Sequence, residues 1–152
     1  MSTTSLLAGV AGEYFVAAEL SRRGLIASIT LRNTRGIDMV VTNASATRTI
    51  TIQCKSSRGR AKKWILNQKS EDFFSDGHFY VFVNLLSELE RPSYHIVPSK
   101  IVGDFVRQNH REWLSGVSKG GKARKDSKIR NFLDKENRYL ERWELLGLGA
   151  LG

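Results

Sequence analysis

The stretch GIDMVVTNASATRTITIQCKSS, residues 36–57, decides how this sequence folds. Two apolar runs flank the polar connection TNASAT, a pattern that predicts a β-hairpin. Side chains alternate between the faces of a strand, so Gln53 and Lys55 share one face of the second run while Cys54 lies on the other, with the core. Asp38 stands inside the first apolar run. A hydrophobic core needs none of the side chains of Asp38, Gln53 and Lys55, and their presence indicates a functional site.

The segments around this hairpin predict an α/β fold. The expected elements are a helix over residues 3–23, strands over 25–31, 36–42, 48–56, 78–86 and 93–98, and helices over 99–114 and 126–147. Strands and helices in this order favour a central mixed β-sheet flanked by helices. The Gly-rich, basic segment 115–126 is expected to be a mobile loop. We find no repeat and no domain boundary, so residues 1–152 form one predicted domain.

Charge and composition restrict the partners of this chain. Among 152 residues, 24 Lys and Arg stand against 15 Asp and Glu, which gives a net charge of +9 and a pI of about 10.0. Such an excess favours a polyanionic partner, nucleic acid before an anionic membrane. No apolar run approaches the ~20 residues of a membrane span, and the N-terminus lacks the pattern of a secretory signal. With Cys54 as the single cysteine, the sequence predicts a cytoplasmic protein that does not bind membranes.

The first predicted helix carries an acid on its apolar side. Its apolar stripe has Glu13 in the middle and is formed by Leu6, Val10, Ala17 and Leu20. Because a buried, unpaired carboxylate is costly, Glu13 and Asp38 near one core both need a compensating partner. An ion pair between Asp38 and Lys55 would be one solution. A divalent cation such as Mg²⁺ would be another, and it would also use the side-chain oxygen of Gln53.

Three segments carry a resemblance to a known family: GEYFVAAELSRRG (12–24), NTRGIDMVV (33–41) and ITIQCKSS (50–57). They resemble the PD-(D/E)xK nuclease superfamily, the restriction-endonuclease-like proteins, and the likeness extends over residues 5–57. In that family a helical Glu precedes an Asp on one strand, and an acid-x-Lys pair follows on the next. The resemblance implies a single-domain restriction-endonuclease-like fold and hydrolysis of nucleic-acid phosphodiester bonds.

The match runs residue by residue through this region. Glu13 takes the place of the helical glutamate and Asp38 that of the motif aspartate. Gln53 takes the place of the second acid, and Lys55 that of the lysine. Two positions depart from the pattern, because Ile37 stands where the family name has Pro and Gln53 replaces a carboxylate. The resulting QxK form, here QCK, is similar to the Mrr-type restriction endonuclease branch.

The resemblance also implies a role for each residue. Asp38 would be the principal ligand of Mg²⁺ or Mn²⁺, with Gln53 and the backbone carbonyl of Cys54 contributing. Glu13 would hold the cation through a water, and Lys55 would orient or help deprotonate the attacking water. The implied protein is a Mg²⁺-dependent endonuclease with DNA as its expected substrate. Since cutting both strands usually requires two active sites, a homodimer is a further expectation.

Two other functions stay open on the sequence. A neutral amide binds Mg²⁺ less tightly than a carboxylate, so Gln53 is also compatible with a catalytically impaired nuclease fold that binds nucleic acid. Alternatively, Glu13, Asp38 and Lys55 could form a buried ion-pair network in a structural or interaction protein. A metal titration separates these functions, because the nuclease alone requires a divalent cation at Asp38.

Basic residues predict the nucleic-acid interface. The candidates are Arg58, Arg60, Lys62, Lys63 and Trp64, and later in the chain Lys119, Lys122, Arg124 and Lys125. The first group directly follows Lys55, where its cations could hold a phosphate backbone. Trp64 could stack on a base or, alternatively, anchor its loop to the core. The second group belongs to a block with eight Lys or Arg and two acids over residues 107–130.

Overall fold

Seven β-strands, two α-helices and two short 3-10 helices make up the described part of this computed structural model, residues 3–31 and 35–149. The elements are α1 (Thr3–Arg22), β1 (Leu25–Ile29), β2 (Met39–Asn43), β3 (Thr49–Arg58), β4 (Lys63–Asn67), β5 (His78–Leu85), β6 (Ser93–Pro98), α2 (Ser99–Ser115) and β7 (Ile129–Leu133), with 3-10 turns at Gln68–Glu71 and Trp143–Leu146. Both α-helices and five of the strands were predicted from the sequence. No helix in the described residues has the length and apolar character needed to cross a bilayer.

The main sheet has five strands in the order β1-β2-β3-β5-β6. Its first three strands and its last pair are antiparallel, whereas β3 and β5 run parallel. β5 lies inside the sheet, between β3 and β6, and its residues are almost all buried, as the largely apolar run over 78–86 predicts. The predicted central mixed sheet is therefore confirmed.

Each face of this sheet is covered by a separate hydrophobic core. On one face α1 packs Val16 and Leu20 against Ile52 and its neighbours. On the other face, Trp64 of β4 and Phe132 of β7 join α2 in a second core. Because side chains alternate along β3, the same strand sends its apolar positions toward α1 and its polar ones toward the second core.

The predicted helix over 126–147 is wrong. Residues Ile129–Leu133 form β7, which pairs antiparallel with β4, a strand that we did not predict. The chain then turns, with Asn137 and Glu141 in the left-handed region at φ values of 58° and 56°. Two residues with positive φ interrupt any helix. The backbone N–H and C=O groups of β7 form their hydrogen bonds with β4 instead of within a helix.

Candidate active site

Asp38 directly precedes β2, and its backbone is fixed on both sides. Its N–H donates to the carbonyl of Ile52 at 2.8 Å, and its carbonyl accepts from the N–H of Thr30 at 2.9 Å. Its carboxylate oxygen Oδ2 accepts a hydrogen bond of 2.7 Å from the backbone N–H of Cys54. These three bonds hold the carboxylate against β3, so its position is set by the protein itself.

The electrostatic surroundings of Asp38 leave its charge incompletely compensated. Burial raises the pKa of the carboxyl group above its usual value, and the hydrogen bond from Cys54 and the positive charge of Lys55 offset this effect only in part. No ion pair within 4.0 Å joins Asp38 to Lys55 in the described part of the chain. A partly desolvated carboxylate without an adjacent cation is suited to binding one.

A cleft of about 760 Å³ opens between α1, β3 and β4 beside this carboxylate. Its lining contains the predicted site residues Glu13, Asp38, Gln53, Cys54 and Lys55. Gln53 and Lys55 are half-buried and share the face of β3 that pairs with Tyr80 and Phe82 of β5. The fold thus brings the four motif residues of the sequence together in one cavity, and their chemical roles remain predictions.

The neighbouring residue Gly12 determines how close Glu13 comes to β3. A Cβ atom at Gly12 would lie 1.8 Å from Ser56 Oγ and 3.1 Å from Ser56 Cβ, so only glycine lets α1 lie directly on the strand here. This close approach brings the half-buried Glu13 to the edge of the cleft. The sequence contained this signal as a glycine inside an otherwise regular helix, and we did not recognise it.

Cys54 has the surroundings of a core residue, as the alternation of β3 predicted. It packs against the core beneath α1. Burial raises the pKa of its thiol well above the usual value, and the negative charges of Asp38 and Glu13 raise it further, against the opposing effect of Lys55. Both carboxylates therefore lie near this thiol.

The cleft offers a limited set of hard ligands. Its lining contains two acids, Glu13 and Asp38. No group of three or more His, Cys, Asp or Glu side chains that could hold a metal ion occurs among the described residues. A divalent cation in this cleft would therefore need the amide oxygen of Gln53 or a backbone carbonyl to complete its protein ligands.

An ion-pair network centres on the buried Glu19, a residue that the sequence analysis did not single out. Glu19 is 5% exposed and pairs with Arg23 at 2.5 Å and with Arg91 at 3.0 Å. Arg91 also pairs with Glu141 at 2.6 Å. Although burial raises the pKa of Glu19, the hydrogen bonds and charges of the two arginines lower it below the usual value. This network joins α1 to the C-terminal segment and lends no support to an ion-pair role for Asp38.

Of the four predicted cations that follow Lys55, Lys63 lines the cleft, and Arg58, Arg60 and Lys62 do not. Lys63 is exposed and lines the cleft itself. Arg58 donates to the carbonyl of Thr4 at 3.0 Å, and Arg60 pairs with Glu90 at 2.5 Å. These contacts involve exposed groups, so a phosphate could replace them at little cost.

The prediction that Trp64 stacks on a base is wrong. Its side chain is 1% exposed, and its indole N–H donates to the carbonyl of Val83 at 3.0 Å. The ring packs against Phe82 and His95, each with a centroid distance of 5.0 Å. Trp64 is therefore the anchor of β4 in the second core, which was the alternative interpretation.

The second group of predicted nucleic-acid contacts does not reach the cleft. Lys119, Lys122, Arg124 and Lys125 are absent from its lining. They belong to the turn after α2, where Val117 and Ala123 form an isolated β-bridge. Arg124 lies over the ring of Trp113 at 5.1 Å and donates to its carbonyl. The predicted interface thus divides into a part beside the cleft and a part elsewhere on the surface.

Comparison with known proteins identifies two solved structures of similar architecture. A bacterial homing endonuclease has a TM-score of 0.54 at 16% sequence identity, over 99% of this chain and 97% of that chain. A Holliday junction resolvase from Archaeoglobus fulgidus has a TM-score of 0.47 at 14% identity, over 86% of each chain. No protein-family model and no curated protein matches the sequence. The likeness to the homing endonuclease confirms the predicted restriction-endonuclease-like α/β fold.

Proposed function

We propose that this protein is a metal-dependent nuclease that hydrolyses the phosphodiester bonds of DNA. The observation that carries the proposal is the hydrogen bond between Cys54 N–H and Asp38, which holds a partly buried carboxylate in a cleft shared with Gln53 and Lys55. The nuclease fold supports the same conclusion, and so does the QxK form of the motif, which is similar to the Mrr-type branch. A net charge of +9 favours a polyanionic substrate.

The donor set of the cleft fits a hard divalent cation, Mg²⁺ or Mn²⁺. Asp38 would be the principal ligand, Gln53 and the carbonyl of Cys54 would complete the protein ligands, and Glu13 would act through a water. When bound, such a cation supplies an acidified water and offsets negative charge on the phosphate. With one carboxylate replaced by an amide, we expect weak affinity and a preference for Mn²⁺ over Mg²⁺.

Lys55 is the residue that acts on the reacting groups in this proposal. It lies two positions beyond Gln53 on the same face of β3 and lines the cleft with it. There it would orient the attacking water and balance charge that develops on the phosphate. Its contribution therefore belongs to the transition state more than to substrate binding.

A second function is favoured by one observation, the lack of a third acid among the described residues that could complete a metal site. A nuclease fold with so few hard ligands could serve as a nucleic-acid-binding module that no longer cleaves. This module would keep the basic surface beside the cleft, including Lys63, and bind DNA without a divalent cation.

Cleavage assays test the two functions against each other. Purified protein is incubated with supercoiled plasmid and with short linear, branched and single-stranded DNA, in Mg²⁺, Mn²⁺ or EDTA. If the protein is a nuclease, cleavage should depend on the metal and should disappear in Asp38→Asn. The asparagine of this variant can still accept the hydrogen bond from Cys54. DNA binding in EDTA without cleavage under any condition would instead identify the binding module.

Two finer expectations belong to the same proposal. We infer a homodimer, supported by apolar side chains on the outer side of α1, where Leu7, Tyr14 and Phe15 are 57%, 65% and 43% exposed. Analytical ultracentrifugation of the wild type and of Tyr14→Lys tests this state. We also place the protein in the cytoplasm, where its one cysteine needs no oxidising environment.

A further inference from the structure

A second cavity adjoins the cleft on the side of the second core. It has a volume of about 530 Å³ and shares Gln53 and Lys55 with the cleft. Its floor includes Tyr80 of β5, which pairs with Gln53 in the parallel register of the sheet. This volume lies within the range of small-ligand sites, roughly 300–1,000 Å³. A group bound here would therefore lie directly beside whatever occupies the cleft.

One wall of this cavity is an aromatic ring that the fold holds in place. Phe73 lines the cavity and is 42% exposed. Its ring packs on Gly36, where a Cβ atom would approach it to 2.7 Å and where φ is +68°. The edge of His78 meets the same ring at a centroid distance of 5.1 Å. Both contacts fix an aromatic surface that is open to the cavity.

The rim of the cavity is positively charged. Arg35, Lys55 and Lys69 contribute cations to the lining. The acid in the lining, Asp72, is already paired with Arg107 at 2.9 Å. Apolar side chains below a cationic rim fit a ligand that has a flat, uncharged ring system attached to an anionic group.

We propose that this cavity receives an unstacked nucleobase from the nucleotide next to the phosphate in the cleft, with the base lying against Phe73. The inference rests on the proposed function, since it names the form of substrate that the same site takes. A base can reach this cavity only when it leaves its stack, so the preferred substrate is single-stranded or locally unpaired DNA. Stacking on an aromatic ring tolerates all four bases, and little sequence preference follows.

A binding experiment without catalysis tests this inference. Fluorescein-labelled single-stranded oligonucleotides are titrated with protein in EDTA, and anisotropy gives the affinity. In a matched set, one base at a time is replaced by an abasic site. We expect one position at which the abasic site weakens binding by roughly 5- to 150-fold, the range for a base stacked on an aromatic side chain.

Two adjacent phenylalanines provide the matched variants. Phe74 is 40% exposed, as Phe73 is 42%, but it lies under the ammonium of Lys100 at 4.8 Å and does not line the cavity. Phe73→Ala should weaken binding to the intact oligonucleotide as much as the abasic site does, and should abolish the abasic effect. Phe74→Ala should keep the wild-type profile. If Phe73→Ala proves unstable, Phe73→Leu retains the apolar contact and loses the stacking surface.

Each result has a distinct meaning. An abasic scan without a sensitive position, or equal effects of the two alanine variants, overturns the nucleobase site even if the protein cleaves DNA. A sensitive position that depends on Phe73, in a protein that never cleaves, supports the site and rejects the nuclease. Failure to bind any single-stranded oligonucleotide in EDTA or with Mn²⁺ would overturn the nucleobase site, while plasmid cleavage would still support the nuclease.

Discussion

Gly12 of α1 lies against Ser56 of β3 so closely that a Cβ atom on the glycine would be 1.8 Å from the serine hydroxyl oxygen. Ser56 immediately follows Lys55, and Glu13 immediately follows Gly12. Glu13 and Lys55, the neighbours of this close helix–strand contact, both line the cleft.

Replacing Gly12 by alanine should destabilise the protein, although alanine normally favours a helix over glycine by roughly 1 kcal/mol. The added methyl group must push α1 or Ser56 aside, and such overpacking costs about 1–3 kcal/mol. Gly9 is the matched control, since a Cβ atom there has no neighbour within 4 Å. Urea unfolding should show a loss of stability for Gly12→Ala and a gain for Gly9→Ala. Equal gains for both would mean that α1 does not lie on β3 in this way.

Gln53→Glu should tighten divalent metal binding, because it adds a carboxylate at nearly the same size beside Asp38. Calorimetry with Mn²⁺ measures the affinity, and we expect an increase of about tenfold or more, which corresponds to ~1.4 kcal/mol. Its effect on cleavage is a separate question, since the new acid could also pair with Lys55. Gln68→Glu makes the same charge change on an exposed residue outside the cleft lining. An equal increase in Mn²⁺ affinity in that control would mean that net charge, and not a new metal ligand, causes the effect.

The basic segment 58–63 should contribute to the salt dependence of DNA binding. Replacing Arg58, Arg60, Lys62 and Lys63 together by alanine should flatten the slope of log affinity against log salt by up to ~3 to 4 units, at about 0.9 per lost phosphate contact. Among single variants, the change at Lys63 should be the largest, because it is the one of these four residues that lines the cleft.

Two paired cations elsewhere provide the control for this measurement. Lys100 pairs with Asp104 at 2.8 Å, and Arg142 pairs with Glu144. Their replacement changes the net charge but removes no group near the cleft, so the slope should stay as in the wild type. An unchanged slope in the fourfold variant would exclude segment 58–63 from the interface.

Acid should destabilise the fold through His95. Its imidazole Nδ1 lies 2.6 Å from Asp134 Oδ2, while Nε2 is buried and has no partner among the described residues. The arrangement fits a neutral ring in which Nδ1–H donates to the carboxylate. Burial lowers the pKa of His95, which outweighs the opposing effect of Asp134. Lys62 lowers it further, and Glu141 acts in the opposite direction.

The sign of the pH effect follows from proton uptake. Below about pH 6.5, the usual pKa of histidine, the unfolded chain binds a proton at this residue that the folded chain does not. Stability should therefore fall as the pH drops from 6.5, by at most about 1.4 kcal/mol per pH unit for one group. Urea unfolding at pH 7.5 and 5.5 should show a smaller decline in His95→Gln, and His78, whose pKa burial also lowers, should account for part of the remainder.

The sequence predicted those elements whose patterns are local. Alternation in β3 placed Gln53 and Lys55 opposite Cys54, and a largely apolar run identified β5 as a strand covered on both faces. The prediction for the C-terminal segment was wrong because β7 forms by pairing with β4, which lies more than sixty residues earlier in the chain. Neither strand has a strong pattern alone, and the spacing of apolar residues in 126–147 is also compatible with a helix.

The candidate site shows the same division. Asp38 and Lys55 could be found because a charged residue within or beside an apolar run can be recognised from the sequence without knowledge of the fold. The cavity wall formed by Phe73 could not be found from the sequence, because it depends on a contact between Gly36 and a segment far along the chain. The error at Trp64 has a similar cause. The sequence around a tryptophan that is flanked by basic residues does not reveal whether the side chain points to solvent or to the core.

Lys55→Met should abolish cleavage while leaving metal and DNA binding largely intact. The methionine keeps the length and apolar stem of the side chain, so the packing of β3 beside Phe82 is retained. What disappears is a cation that stabilises the transition state more than the bound substrate. Single-turnover assays should show a fall in the rate of about 100-fold or more, with Kd values for Mn²⁺ and DNA within about threefold of the wild type.

Lys63→Met is the matched control, because Lys63 lines the same cleft from β4 and is exposed. A lysine that only holds phosphate should affect binding and leave the rate at saturating DNA unchanged. The two variants therefore distinguish a lysine that only binds phosphate in the cleft from one that takes part in the reaction. If Lys55→Met cuts DNA as fast as the wild type, or if both variants lose only affinity, Lys55 is a binding residue and the cleavage must use another group.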